Sequence, residues 1–416
     1  MINIIKMQYI GFLLLVLTVS QVQAQSHSHG HKKHVVLPAG CEKPAGKAML
    51  RCARTPNAIF DQQGRLWVTW VGGNHVYVSY SDDKGESYNQ AVMVNKEPET
   101  IAARGENRPK IVVDQQGRIF VSWTQKLKKR FSGHIRFSRS IDRGKSFSQP
   151  VTVNDHREVT SHRFESLVVN NKGDIFIAWL DKRDKLSVKK QGKTYRGAAV
   201  YYTVSTDHGN SFHKNIKVID HSCECCRTSM AIDTDQLPVI LWRHIFGKNT
   251  RDHALVKFKR HDEPGDILRI SYDNWQVDGC PHHGPAISIA DDGTYHMAWF
   301  NNAPESHGLF YAYSLDQGQH TSSPLSFGNY QAQASHPQVL SLGNTVFLAW
   351  QEFDGKTASL MMMSSTDSGE HWSQAKRLAQ TDAVADYPIM LSYQQTVYIA
   401  WHRPGQDYHL IPIKQN

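Results

Sequence analysis

After residue 24 the sequence has no apolar run long enough to cross a membrane. A transmembrane helix needs about 20 consecutive apolar residues, so we predict no stable membrane insertion. Residues 1–24 are different, because they combine one lysine, an apolar run over residues 10–19 and a small residue at Ala24. That run is too short for an anchor and is typical of a cleavable secretory signal. We therefore predict a secreted protein, located in the periplasm.

The sequence also has no nucleic-acid-binding motif, although its formal net charge is +9. Much of the excess positive charge lies in residues 126–130 and in a basic insertion over residues 182–196. Basic runs of this kind are usually solvated loops. We therefore predict no nucleic-acid partner, and we keep a small anionic ligand as the partner that the charge allows.

Cysteine is scarce, with six residues in 416, yet four of the six fall in two short segments. These segments are Cys223-Glu224-Cys225-Cys226 and Cys280-Pro281-His282-His283. An even number of cysteines in an exported protein favours disulfides, here Cys41 with Cys52 and Cys280 with Cys223 or Cys225. A disulfide between the neighbours Cys225 and Cys226 is disfavoured by ring strain. Three hypotheses stay open for these segments: a metal site, structural disulfides and a redox-active dithiol.

What the sequence does contain is a repeat. Short strands that end in tryptophan recur with a period of roughly 50 to 60 residues, which is in the range of propeller blades. They cover residues 66–70, 119–123, 175–179, 238–242, 295–299, 346–350 and 397–401. Another predicted strand precedes each of them, over residues 57–60, 110–113, 166–169, 228–232, 286–290, 338–341 and 389–392. The spacing predicts seven copies of one structural unit.

One complete copy runs from residue 164 to residue 219. Its alternating and β-branched segments predict four strands, over residues 164–171, 175–179, 197–204 and 216–219. The third and fourth strands are joined by a turn in which Ser205, Asp207, Gly209 and Phe212 each have a physical role. The serine and aspartate can bond to the amides of the turn, and the glycine can take a positive φ. The turn recurs at residues 81–88, 140–147 and 365–372, more weakly at 314–318, and is not recognisable near 270–275.

This repeat resembles the Asp-box, or bacterial neuraminidase (BNR), repeat of sialidase-like β-propellers, and the resemblance covers nearly all of the chain after the signal. It implies an all-β fold in which residues 35–416 form a single propeller after a His-rich tail at residues 25–34. We favour seven four-stranded blades over the six that are typical of sialidases. The last copy lacks a fourth strand, and residues 35–37 are predicted to supply it and close the ring.

In a propeller, the loops that lead into the innermost strands open on one face beside the central channel. In this sequence those loops carry several cations, which predict a pocket for a small anionic ligand. The residues chosen for it are Arg54, Arg108, Arg163, Arg227 and His336.

The two cysteine segments lead into neighbouring blades, so their side chains can meet. Thiolates and imidazoles together favour a transition metal, with copper preferred and zinc possible. The predicted ligands are Cys223, Cys225, Cys226, Cys280, His282 and His283. Histidines at 27, 29, 31 and 34 in the tail are a second indication of metal binding. A metal-delivery partner would fit this hypothesis, which does not decide between a carrier and a metal-dependent or redox enzyme.

The resemblance also implies an alternative function, an exo-α-sialidase-like glycoside hydrolase. Enzymes of that family bind the substrate carboxylate with three arginines and use a tyrosine nucleophile, a glutamate and an aspartic acid/base. Arg54 with Pro56 resembles their first arginine motif, and Tyr387 could be the nucleophile. The loop over residues 71–75 offers Asn74 and His75 but no acid, so the leaving group lacks a proton donor. A non-catalytic interaction scaffold with structural disulfides is the remaining alternative.

Overall fold

The structure, a computed structural model, describes residues 40–41, 48–406 and 408–414. Within those residues the chain forms seven antiparallel sheets, six of them with four strands and one with three. The seven-bladed all-β prediction is therefore confirmed. The predicted signal, the His-rich tail and the closing strand at residues 35–37 lie outside the described residues.

Each blade takes consecutive strands in order. Blade 1 contains β1 (Arg54–Phe60), β2 (Leu66–Gly72), β3 (His75–Ser81) and β4 (Val92–Met93). Blade 2 contains β5 (Lys110–Val113), β6 (Ile119–Lys126), β7 (Gly133–Ser140) and β8 (Val151–Thr152). Blade 3 contains β9 (His162–Val169), β10 (Ile175–Asp181), β11 (Ala198–Ser205) and β12 (Ile216–Ser222). Blade 4 contains β13 (Ser229–Ile232), β14 (Pro238–Arg243), β15 (His253–Arg260) and β16 (Glu263–Arg269).

The remaining blades follow the same order. Blade 5 contains β17 (Ala286–Ile289), β18 (Tyr295–Ala303), β19 (Ser306–Ser314) and β20 (Leu325–Phe327). Blade 6 contains β21 (Ser335–Leu342), β22 (Thr345–Phe353), β23 (Ala358–Ser365) and β24 (Lys376–Thr381). Blade 7 contains β25 (Ile389–Tyr393), β26 (Thr396–Ala400) and β27 (Leu410–Ile413). The described residues contain no fourth strand for this blade.

The second strand of each blade is largely buried, because neighbouring blades cover both of its faces. All seven residues of β10 are buried, and Trp179 has no exposed surface. Strands covered on both faces read as continuous apolar runs, which explains why these segments were visible in the sequence. Between blades 3 and 4, Tyr202 packs in one apolar cluster with Trp242 and Phe258. The tryptophans are core residues, each burying about 150–250 Å².

The repeated turn owes its shape to its own side chains. Ser205 Oγ donates a hydrogen bond to Asp207 (2.8 Å) and accepts one from the Gly209 amide (2.8 Å). Gly209 has φ of 77°, and a β-carbon there would lie 2.7 Å from the Phe137 ring. The same serine–aspartate and glycine–serine bonds recur in blades 1, 2, 5 and 6. Blade 4 has no such turn, because only two residues separate β15 from β16.

The basic insertion contains the one α-helix of the described residues, α1 (Arg183–Lys190), between β10 and β11. The sequence predicted a solvated loop here. The segment is helical instead, although none of the side chains of the helix is buried. No described helix is long and apolar enough to span a membrane.

Candidate metal centre

Three buried cysteines meet where blade 3 passes into blade 4. Cys223 Sγ lies 3.8 Å from Cys225 Sγ and 3.6 Å from Cys226 Sγ, and the three sulfurs lie within 4.8 Å of one another. Their exposed fractions are 1%, 5% and 2%. We call these three side chains the inner group.

The loop after β12 places the three sulfurs on one side. The Cys223 amide donates to the Arg243 carbonyl oxygen (2.9 Å), which holds the start of the loop against the end of β14. Glu224 points the other way and pairs with Lys182 (2.9 Å) and Lys185 (3.3 Å) beside α1. Only the cysteines of this segment therefore face the interior.

A second group shares one member with the first. Cys225 Sγ, Cys280 Sγ and a ring nitrogen of His282 lie within 4.8 Å of one another, and both Cys280 and His282 are exposed. We call these three side chains the outer group. The blade order predicted this contact, since the innermost strands β13 and β17, which follow the two loops, pack side by side.

Gly284 brings the two loops together. A β-carbon at this position would lie 2.7 Å from the Arg227 carbonyl oxygen, so no larger residue fits without movement. The Gly284 amide donates to Glu106 Oε1 (2.8 Å), and Arg227 Nη1 donates to the same oxygen (2.6 Å). Glu106 therefore links both cysteine loops to blade 2.

His283 belongs to neither group. Its ring stacks on Phe300, with centroids 4.1 Å apart, and lies 4.7 Å from the His336 ring. His282, with φ of 58°, instead lies on the outer side of the same loop. Of the two histidines predicted as ligands, the structure places only His282 with the thiols.

Two buried arginines lie behind the inner group. Arg243 and Arg251 are 1% and 7% exposed, and no carboxylate of the described residues is within ion-pair distance of either. Arg243 donates to the carbonyl oxygens of Arg251 (3.0 Å) and Phe300 (2.5 Å). Arg243 Nε and Arg251 Nη1 are buried without a hydrogen-bond partner. A buried cation needs a negative partner, and the acidic groups near these two are the Cys223 thiol and, for Arg243, also the Asp273 carboxyl.

These surroundings lower the pKa of some of the thiols and raise the pKa of others. Hydrogen bonds from Cys225 and Cys226 lower the pKa of Cys223 well below its ordinary value, and Arg251 and Arg243 act in the same direction. Burial and the Cys223 sulfur raise the pKa of Cys226 well above its ordinary value. In the outer group, a hydrogen bond from Cys225 lowers the pKa of Cys280. The cluster can therefore hold thiolate, which is the form that ligates metals and reacts.

The structure brings three of the five predicted anion-binding residues together, each with a protein partner. Arg227 pairs with Glu106 (2.6 Å), Arg108 pairs with Asp386 (2.6 Å), and His336 Nδ1 lies 3.3 Å from Glu106. Burial raises the pKa of Glu106, but Arg227, His336 and the Gly284 amide outweigh it and hold that pKa well below its ordinary value.

The other two arginines have different neighbours. Arg54 donates to the Gly73 carbonyl oxygen (2.9 Å) and lines a cavity of about 350 Å³ with Lys126 and the Cys41–Cys52 disulfide. Arg163 lies over the Phe164 ring at 4.8 Å.

The cysteines divide into one disulfide and four thiols. Cys41 and Cys52 are bonded, with Cα atoms 5.4 Å apart, as the disulfide hypothesis predicted for this pair. Cys223, Cys225, Cys226 and Cys280 are free, so the second predicted pairing is not formed.

Tyr387 does not have the surroundings of a nucleophile. Its ring stacks on His336, with centroids 3.4 Å apart, and burial together with Glu106 and Asp386 raises its pKa to about 12. A phenolate is therefore disfavoured at neutral pH.

The partners of these residues were not apparent from the sequence. Glu106 and Arg243 lie at loops on the predicted face of the propeller. The residues around them in the sequence did not show that Glu106 joins the two cysteine loops or that Arg243 lies beside the thiols. Arg251 lies in a polar segment without periodicity, and no sequence signal could have found it.

No family model and no curated protein matches the chain. Among solved structures, the chain is similar to an ulvan lyase described as a new family of polysaccharide lyase, with a TM-score of 0.55 and 12% identity over 86% of this chain and 93% of that one. It is also similar to a protein of unknown function from Dyadobacter fermentans, with a TM-score of 0.51 and 15% identity over 77% of this chain and 96% of that one. A Hadza microbial sialidase, at a TM-score of 0.48 and 12% identity over 84% of this chain and 76% of that one, is too distant to support an inference. These structural similarities show a shared β-propeller fold, which in this chain has seven blades and a group of Cys and His side chains that could hold a metal.

Proposed function

We propose that this protein binds a soft transition-metal ion, copper(I) in the first place and zinc as the alternative, at its cysteine cluster. The observation that carries the proposal is the convergence of three buried sulfurs, from Cys223, Cys225 and Cys226, within 4.8 Å of one another. Because water cannot solvate these buried thiolates, they need a bound cation in its place, which a cysteine on the surface does not.

The sulfur separations support metal coordination. At 3.6 and 3.8 Å they are far wider than a disulfide bond, which is about 2.05 Å long. Sulfurs bound about 2.3 Å from one metal ion lie roughly 3.8 Å apart in a tetrahedron and roughly 4.0 Å apart in a trigonal plane. Small adjustments of the loop would therefore seat one ion between the three sulfurs.

The charges support the same conclusion. Three thiolates and one copper(I) ion sum to two net negative charges, and the two buried cations beside them are Arg243 and Arg251. Both arginines are close enough for their positive charge to act on the Cys223 thiol, whose pKa they help to lower. The negative charge of the cluster and the positive charges of the two arginines then compensate each other, and the Asp273 carboxyl also acts on Arg243.

The donor set favours copper(I). Sulfur ligands select copper(I) and zinc over harder ions, and three thiolates without a fourth inner ligand suit a three-coordinate ion. Zinc prefers four ligands, which would require a further group. A bound metal would also protect the thiols from oxidation in the predicted periplasmic location.

The test is elemental analysis of protein purified without chelator or nickel resin, followed by anaerobic titration with copper(I) against a coloured competing chelator. We expect bound copper that is lost in Cys226→Ser and kept in Ser222→Ala, a control at the buried end of β12 next to Cys223. Binding of neither copper nor zinc, or equal binding by both variants, would overturn the proposal. Peptide mapping under non-reducing conditions should find Cys223, Cys225 and Cys226 as thiols, and a disulfide among them would favour the scaffold alternative.

The surroundings of Tyr387 do not support the sialidase alternative, since its ring is stacked on His336 and its pKa is raised to about 12. The anionic ligand and the metal-delivery partner stay predictions from the sequence. So does a metal-dependent or redox activity.

A further inference from the structure

Cys225 is a member of both cysteine groups. Its sulfur lies within 4.8 Å of the sulfurs of Cys223 and Cys226, and also within 4.8 Å of the donor atoms of Cys280 and His282. A thiolate sulfur has enough lone pairs to bind two metal ions at once. The two groups therefore do not compete for Cys225, provided that both ions are soft.

We propose that Cys225 is a bridging ligand between two metal positions, an inner one for retention and an outer one for exchange. The proposal rests on the proposed function and extends it from one ion to two. The inner position uses Cys223, Cys225 and Cys226, and the outer position uses Cys225, Cys280 and His282.

Burial separates the roles of the two positions. The inner cysteines are between 1% and 5% exposed, so an ion in solution cannot reach them directly. Cys280 and His282 are exposed and lie within 4.8 Å of the Cys225 donor atom. An incoming ion can thus bind first to the exposed pair and then pass to the interior by exchanging ligands at Cys225.

The chemistry of the outer position balances without an oxidant. Copper(I) replaces the thiol proton of Cys280, so one copper–sulfur bond forms, one sulfur–hydrogen bond breaks and one proton leaves. His282 contributes a neutral nitrogen. The net charge of the cluster does not change when the outer ion binds, and Arg243 and Arg251 still compensate it.

The outer loop is held in place by contacts that do not depend on the metal. Glu106 accepts hydrogen bonds from both the Gly284 amide (2.8 Å) and Arg227 (2.6 Å), one from each loop. The relative position of Cys225 and Cys280 is therefore fixed before any ion binds. This preorganisation is what a ligand shared by two positions requires.

The experiment is an anaerobic copper(I) titration of the full chain, with stoichiometry and uptake rate measured for four proteins. We expect about two equivalents in the natural sequence and about one in the double variant Cys280→Ser/His282→Ala. That double variant should load its remaining ion roughly tenfold more slowly, since the exposed ligands are gone. Cys225→Ser should lose both equivalents. Asp278→Asn, an exposed change in the same loop, should behave like the natural sequence.

Three results would distinguish the possible failures. No copper in any of the four proteins, with no zinc found by elemental analysis, overturns the proposed function itself. One equivalent in the natural sequence, unchanged in number and rate by Cys280→Ser/His282→Ala, overturns the two-position proposal and leaves the inner site standing. Two equivalents with one retained in Cys225→Ser, in a variant whose circular dichroism shows that it is folded, would show independent ions and exclude the bridge.

Discussion

Gly284 lies directly against the backbone of Arg227, at a distance that leaves no room for a β-carbon. The two residues belong to the loops that carry the outer and inner cysteines. Their contact fixes how closely those loops approach, so it also fixes the distance between Cys225 and Cys280.

We expect Gly284→Ala to lower copper(I) affinity roughly tenfold, because the added methyl group forces the two loops apart. The same clash should reduce the free energy of unfolding by about 1–3 kcal/mol. Competition titration and urea denaturation measure the two effects. Gly279→Ala is the matched control, since a β-carbon there would meet only Val277, at 3.5 Å. Equal affinities for the two alanine variants would contradict this account of the contact.

Glu106→Gln should destabilise the protein by about 3–5 kcal/mol, because it leaves the largely buried Arg227 without its negative partner. The amide can still accept one hydrogen bond but cannot compensate the charge. Thermal or urea unfolding would measure the loss. Glu370→Gln, at an exposed position in blade 6, provides the comparison and should have little effect. A similar stability for both variants would show that Glu106 does not link the loops.

Arg251→Met should weaken copper(I) binding by about 10–100-fold, the usual effect of removing a supporting group around a metal site. The methionine keeps much of the buried volume but removes the charge beside Cys223. Arg251→Lys should lose less, since it retains the cation. Affinities in the reverse order would mean that the charge of Arg251 does not support the thiolates.

His162 should make the protein less stable in mild acid. Burial lowers its folded-state pKa from 6.5 to about 4, against the opposing effect of Asp181, while Arg183, His134 and His156 act with burial. The unfolded chain therefore binds an additional proton between these two pKa values. Stability is full above about pH 6.5, falls as the pH drops toward about 4, and changes no further below that value.

We expect His162→Gln to remove on the order of 1–3 kcal/mol of this pH dependence. Urea midpoints at neutral pH and at about pH 5 would measure it, with the exposed His213→Gln as the control. If the urea midpoint of His162→Gln fell between the two pH values by as much as that of the natural sequence, other groups would be responsible for the acid sensitivity.

The blades were predictable because their information is local. The continuous apolar segment of β10 and the serine–aspartate bonds of the turn after β11 each depend on residues close in the chain. Helix α1 was missed for the opposite reason, since it has no buried face and so leaves no periodic apolar pattern.

The candidate site was predictable only in part. Cys223, Cys225 and Cys226 are close in sequence, and the blade order placed Cys280 beside them. Glu106, however, reaches partners 121, 178 and 230 residues away, and no pattern in the sequence reports contacts at such separations. The cations and the carboxylates of the leading loops were both visible in the sequence, but the pairing of Arg108 with Asp386 and of Arg227 with Glu106 was not.

Glu106 has a consequence for how the whole ring unfolds. In an open array of repeats, each unit touches only its neighbours, and the array can unravel from one end. Here a single carboxylate of blade 2 contacts Arg227 before blade 4, Gly284 before blade 5 and His336 of blade 6. Segments from blades that are not neighbours in the ring thus bind the same carboxylate. When one of these blades unfolds, the position of Glu106 relative to its other partners is disturbed as well. Unfolding is therefore expected to be cooperative, with no stable partly opened ring.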